Sequence, residues 1–166
     1  MTFTPRTWIV GEVVSAATMN QEIRDQFDSM FGAWTTYTPA WTSAGSTAPV
    51  LGNGALTGRY MKIGRIVLCH INLITGSTTT YGTGSYSFSL PVQAASSGMA
   101  IVGTAQYLGT ARWAGEIVIS SAANTTSAFF PTSATNNAID FMNSSRPETL
   151  AASGQLRLSF VYEAAS

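Results

Sequence analysis

Residues 154–163 read GQLRLSFVYE. Leu156, Leu158, Phe160 and Tyr162 alternate with Arg157, Ser159, Val161 and Glu163, a period of two that predicts a strand with one face turned to a core. Residues 85–91, SYSFSLP, repeat the pattern, with Tyr86, Phe88 and Leu90 on one side and Ser85, Ser87 and Ser89 on the other. Residues 64–76, GRIVLCHINLITG, are apolar at both sets of positions, which predicts a central strand. Shorter candidates are LTGRYMKIG (56–64), GMAIVGTAQYLG (98–109), GEIVISS (115–121), SAFFP (127–131) and AIDFMN (138–143). Turn signals stand between them at Gly52-Asn53-Gly54, Tyr81-Gly82-Thr83-Gly84 and Asn136-Asn137, the glycine-flanked ones reading as hairpin turns. Some eight strands at spacings of roughly ten residues predict a mainly β fold, a β-sandwich of jelly-roll type, over residues 33–166.

The segment before residue 33 has a different composition. Residues 15–31, SAATMNQEIRDQFDSMF, read as a short α-helix, with Ser15 as its cap and Gly32 ending it in the left-handed conformation. Ala16, Met19, Ile23, Phe27 and Met30 form an apolar stripe, while Glu22, Arg24, Asp25 and Asp28 lie largely opposite. A helix this short is marginal alone, so it must dock on its own sheet or on other chains. Residues 1–14 read as an extended arm with Trp8 as an anchor. Residues 1–32 are thus expected to serve attachment and oligomerisation.

Composition narrows the partners. The chain has 166 residues, of which 45% are hydrophobic and only 10% charged, with eight basic and eight acidic residues. Zero net charge argues against a nucleic-acid partner, which needs clustered Lys and Arg. A surface so poor in charge suggests coverage by neighbouring subunits. No apolar run approaches membrane-spanning length, so membrane insertion is not expected. Arg6 is followed by TWIVGEVV, too short and interrupted for a secretory core, so the expected site of synthesis is a cytoplasm.

The catalytic inventory is thin. Cys69 is the single cysteine and His70 the single histidine, and as strand neighbours they point to opposite faces. Cys69 reads as a buried, inert thiol and His70 as an ordinary strand residue. No spacing suits a zinc or calcium site, and neither a metal nor a cofactor is expected. A glycosidase would need two carboxylates to converge, and Glu116 with Asp140 is the pair that could. The expectation is that the protein is not an enzyme. Aromatics remain, and they serve either sugar stacking or packing. Trp34, Tyr37 and Trp41 read as packing at the seam between helix and β-domain, and Trp34 and Trp41 are counted with Trp8, Met19, Ile23, Phe27 and Met30 as attachment residues. Trp113 and Tyr107, placed in the loop around Gly109–Arg112 with Arg112 itself, and Tyr81, are the candidate ligand-binding residues.

The stretch TWIVGEVVSAATMNQEIRDQF (7–27) resembles the N-terminal segment of small virion proteins of tailed bacteriophages and prophages, chiefly actinobacterial ones. The shared positions are Trp8, Gly11-Glu12, Ser15, Asn20 and Ile23-Arg24-Asp25. The likeness continues through an aromatic-Thr-Pro-x-Trp strand (Tyr37 to Trp41), Gly52 to Gly54, Gly58 to Tyr60, and Thr78 to Pro91. It implies a minor tail or tail-fibre protein in the virion, without enzymatic activity, often a homotrimer attached through its N-terminus to other virion proteins. Adhesion to host cell-surface glycan through the β-domain is the function that follows. Capsid decoration, cementing or a head fibre without a receptor is the alternative, and a glycan-cleaving enzyme a third.

Overall fold

The computed structural model describes residues 7–133 and 135–165, so residues 1–6 of the expected arm lie outside the described residues. The strands are β1 (Thr35–Tyr37), β2 (Trp41–Ser43), β3 (Ala55–Ile63), β4 (Ile66–Ile74), β5 (Tyr86–Ser89), β6 (Ile101–Leu108), β7 (Arg112–Ile119), β8 (Thr125–Ser133), β9 (Asn136–Phe141) and β10 (Gln155–Glu163). They pair antiparallel in the order β1-β3-β4-β10-β6-β7-β8-β5-β2, with β9 beside the second half of β8. The fold is mainly β, and the sheet is curled.

The curl follows from one connection. β1 and β2 occupy opposite ends of this nine-strand path, yet only Thr38, Pro39 and Ala40 separate them. Laid flat, nine strands would hold their outer members about 38 Å apart, at about 4.8 Å per neighbour. Four Cα steps reach at most about 15 Å. The sheet must therefore roll until its edges approach. The sequence motif expected to be one strand from Tyr37 to Trp41 is thus two, because Pro39 interrupts the ladder where the chain crosses from one edge to the other.

Side chains close the gap. Ser89, at the β5 edge, donates its backbone N–H to Ala40 (3.0 Å), and its hydroxyl accepts from the Ala40 N–H (2.8 Å). The Tyr37 hydroxyl lies 3.3 Å from the Ser89 carbonyl, to which it donates, and 3.4 Å from Cys69 Sγ. Burial pushes the Tyr37 phenol far above its ordinary value, so it stays protonated and a donor. Its ring stands edge-on to Tyr60 at 5.8 Å and covers Gly58, its register partner on β3. A Cβ at Gly58 would collide with that ring.

Inside the curl lies the core. β10 contributes Leu156, Leu158, Phe160 and Tyr162, and β4 contributes Val67, Cys69, Ile71 and Leu73. Tyr86 and Phe88 of β5, Tyr107 of β6, Ile117 and Ile119 of β7, and Phe130 of β8 complete it. The alternation read from GQLRLSFVYE and SYSFSLP matches this burial. β4 is central, between β3 and β10, but its outer face is only partly covered: Ile66 is 54% exposed and His70, though stacked by Trp34, stays exposed.

The glycine-rich turns are not hairpins. Gly52–Gly54 and Tyr81–Gly84 belong to two long loops that lace together. Val50 and Thr80 exchange both backbone bonds, and Thr83 donates to Thr47 (2.9 Å). The Asn53 side chain accepts from the Thr78 N–H (2.9 Å) while the Asn53 N–H donates to the Thr78 hydroxyl (2.9 Å).

Ahead of the sheet runs a helix in three parts, α1 (Ala16–Met19), a π segment (Asn20–Arg24) and α2 (Asp25–Phe31). Ser15 caps it through a hydrogen bond from the Thr18 N–H (3.1 Å). Gly32 is extended (φ −65°, ψ 164°), not left-handed, because the chain passes directly into β1. Glycine suits that position for room: a Cβ there would lie 2.7 Å from the Asp28 carbonyl oxygen.

Two substitutions test the closure. Gly58→Ala is expected to destabilise by about 1–3 kcal/mol through overpacking, and Tyr37→Phe by about 1 kcal/mol through the lost hydroxyl bond. Urea denaturation of both variants measures this, and unchanged midpoints would contradict the closure.

Candidate functional site

The expected loop aromatics are structural. Tyr107 and Trp113 are register partners on β6 and β7, flanking the turn instead of standing in it. Tyr107 faces inward and is 1% exposed, so its ring is unavailable to a ligand. Trp113 is half-buried against the core, and its indole N–H donates to Glu148 (2.9 Å). Glu148 also accepts from the Thr110 N–H (2.7 Å) and hydroxyl (2.6 Å), pinning the β6–β7 turn. Tyr81 packs against the core, and its carbonyl accepts from the Tyr86 hydroxyl (2.7 Å). Arg112 is exposed at the turn. These four candidates do not form one surface.

The attachment candidates divide. Trp41 is half-buried, edge-on to Tyr86 at 5.2 Å, and belongs to the core margin. Trp34 lies on the outer face, stacked on His70 at 4.9 Å with 24° between the planes. Trp8, Met19, Ile23, Phe27 and Met30 are 42–56% exposed.

Glu116 and Asp140 do not converge. Glu116 is the register partner of Phe129, which in turn pairs with Phe141, whereas Asp140 pairs with the buried Phe130 and so projects from the opposite face. Asp140 is bound to Arg146 at 2.8 Å. Two carboxylates on opposite faces cannot flank one glycosidic bond. Among the described residues no group of three or more His, Cys, Asp or Glu could hold a metal ion, and no helix is long and apolar enough to cross a membrane.

What the sheet does assemble is a trough of about 620 Å³ on its outer face. Register builds it in two rows. One runs Arg59, His70, Ser159, Thr104, Glu116 across β3, β4, β10, β6 and β7, and the next runs Thr57, Asn72, Arg157, Gln106, Ala114. All but Glu116 line the trough. Directly opposed side chains on one face stand about 5 Å apart, close enough to act together. The Arg157 guanidinium is held by Gln155 Oε1 (2.6 Å) and Gln106 Oε1 (3.2 Å), and Gln155 in turn donates to Asn72 Oδ1 (2.7 Å). Among the described residues neither Arg59 nor Arg157 has a carboxylate partner. Beside the polar rows runs an apolar one, Met61, Leu68 and Val161 in register, with Val102 opposite Val118 on β6 and β7. The polar residues were visible in the sequence as the outward halves of alternating strands. Their convergence was not, because it requires β10 to insert between β4 and β6.

Glu148 supplies a pH test. Desolvation would raise its carboxyl, but hydrogen bonds from the Thr110 hydroxyl, the Trp113 indole and the Thr110 and Ala111 backbone outweigh it and hold the carboxyl below its ordinary 4.5. A carboxyl lowered by folding contributes stability above its unfolded value and loses it as pH falls through the folded one. Stability should therefore decline in acid from about pH 4.5 downward, and Glu148→Gln should flatten that part of the profile. Melting temperatures from about pH 6 to pH 3 measure it. An identical slope in both proteins would contradict the assignment.

Comparison with protein-family models, curated proteins and solved structures finds no match for this chain.

Proposed function

We propose that this protein is a bacteriophage virion component, a homotrimeric tail-fibre or minor tail appendage that adheres to the host surface through its β-domain. The exposed apolar stripe of the helix carries the reading. Met19, Ile23, Phe27 and Met30 are each at least 42% exposed in the single chain, ahead of a sheet whose own core is already closed. Burying such residues between copies is favourable, at about 25 cal/mol per Å² of apolar surface. The copy number of three and the virion location rest on the resemblance of residues 7–92. In this reading the β-domain is a jelly-roll-like head, the helix joins copies to each other and to tail proteins, and the outer face meets the host.

Adhesion by such a head works through repetition. Weak individual sites on three linked copies bind together with an avidity that can exceed a single site by about 10²–10⁴. The test is binding of fluorescently labelled protein to intact host cells. The wild-type chain should bind, and a variant carrying Ile23→Glu and Phe27→Glu should bind about 100-fold less while its β-domain stays folded. Undiminished binding by the variant would contradict the helix as the joining element. Binding of the wild type to empty capsids and not to cells would replace adhesion with decoration.

A further inference from the structure

The geometry points to the outer-face trough as a binding site for an anionic polyhydroxylated chain, a uronate-bearing oligosaccharide or a polyol phosphate, with Arg157 and Arg59 receiving its successive negative groups. This deepens the adhesion reading and rests on it.

Three observations lead there. First, Arg157 is preorganised. Its two amide-oxygen partners, Gln155 and Gln106, fix the guanidinium on the sheet without neutralising it. A guanidinium carries five N–H donors, so those two bonds leave the remainder free for a carboxylate or phosphate oxygen. Because the side chain is already held, little of its rotational freedom is lost on binding.

Second, the spacing selects a repeating anion. Arg59 and Arg157 are two strands and two residues apart, which separates their Cα atoms by about 12 Å. Gln106 on β6 anchors the Arg157 guanidinium on the side away from β3 and Arg59, so an oligomer with a charge on successive units engages both where a single carboxylate on Arg157 does not. Glu116, the one carboxylate on these two rows, sits on β7 at the far end from Arg59. It repels anions there and directs the negative groups toward β3, β4 and β10.

Third, the lining around the guanidiniums is that of a polyol site. Thr104, Ser159 and Thr57 present hydroxyls, Asn72 and Gln106 present amides, and the small Ala114 leaves room at the β7 end. His70, its ring backed by Trp34, supplies a further donor held in place. Single-stranded nucleic acid fits less well, since the trough offers two guanidiniums and no free row of aromatics for successive bases.

The negative group could be a uronate carboxylate or a polyol phosphate, and titration calorimetry on the full-length protein distinguishes them. The probes are an oligogalacturonate, a glycerol-phosphate oligomer, a neutral oligosaccharide of equal length and an oligothymidylate. Binding of either of the first two, with Arg157→Gln and Arg59→Gln each weakening it about tenfold or more, supports the inference. Arg157→Lys should fall nearly as far, because an ammonium cannot reproduce the planar fork. Equal affinity for the neutral oligosaccharide, tighter binding of oligothymidylate, or no binding of either anionic glycan would overturn it. A change of solution mass in Arg157→Gln would also overturn it, by making the trough a contact between copies. If wild-type protein adheres to host cells and Arg157→Gln adheres equally well, the inference fails while adhesion stands. If the glycan binds but cells are ignored, adhesion fails and the site stands.

Discussion

Three residues, Thr38, Pro39 and Ala40, join strands at opposite ends of the sheet, and most of the architecture follows from that short tether. Nine strands cannot lie open when their outermost members are tied this closely. Rolling the sheet turns one face wholly inward, where it becomes the core, and leaves the other wholly outward. It also protects the edge strands, which are only three residues long and paired on one side. Proline is apt in the tether, because it has no N–H to leave unpaired between the two ladders.

The same segment grips β4 from both sides. Tyr37 reaches inward to Cys69, and Trp34, three residues earlier, stacks outside on His70. Adjacent residues on β4 thus meet the two halves of one clasp. Burial pushes the Cys69 thiol up to about 11, against the smaller opposing effect of the Tyr37 hydroxyl, so it remains a protonated core residue. His70 instead becomes part of the outer face. The inner face is spent on packing, whereas the helix presents exposed apolar side chains and the trough presents guanidiniums that, among the described residues, have no carboxylate partner.

Much of this was legible in the sequence. A period of two named the buried residues of β5 and β10 correctly, and the Ser15 cap was correctly placed. The division of Cys69 from His70 needed only alternation. Strand order was not legible, since periodicity shows which residues share a face and not which strands are neighbours. β10 comes last in the chain yet lies between β4 and β6, and only that placement aligns Arg157 with Asn72 and Gln106. Tyr107 was misread as a loop residue because a glycine follows two positions later; its strand continues to Leu108, and it faces the core. Gly52–Gly54 looked like a hairpin turn, but its partner is the loop at Thr78, a contact between distant segments that local turn chemistry does not reveal.

In the proposed trimer, copies of this chain meet through the apolar stripe of the helix, which the sheet leaves largely exposed. Static light scattering of the purified full-length protein tests that most directly. The prediction is a mass three times 17.5 kDa, falling to the single-chain value when Ile23 and Phe27 are both replaced by glutamate. A wild-type mass of 17.5 kDa at every concentration would contradict it.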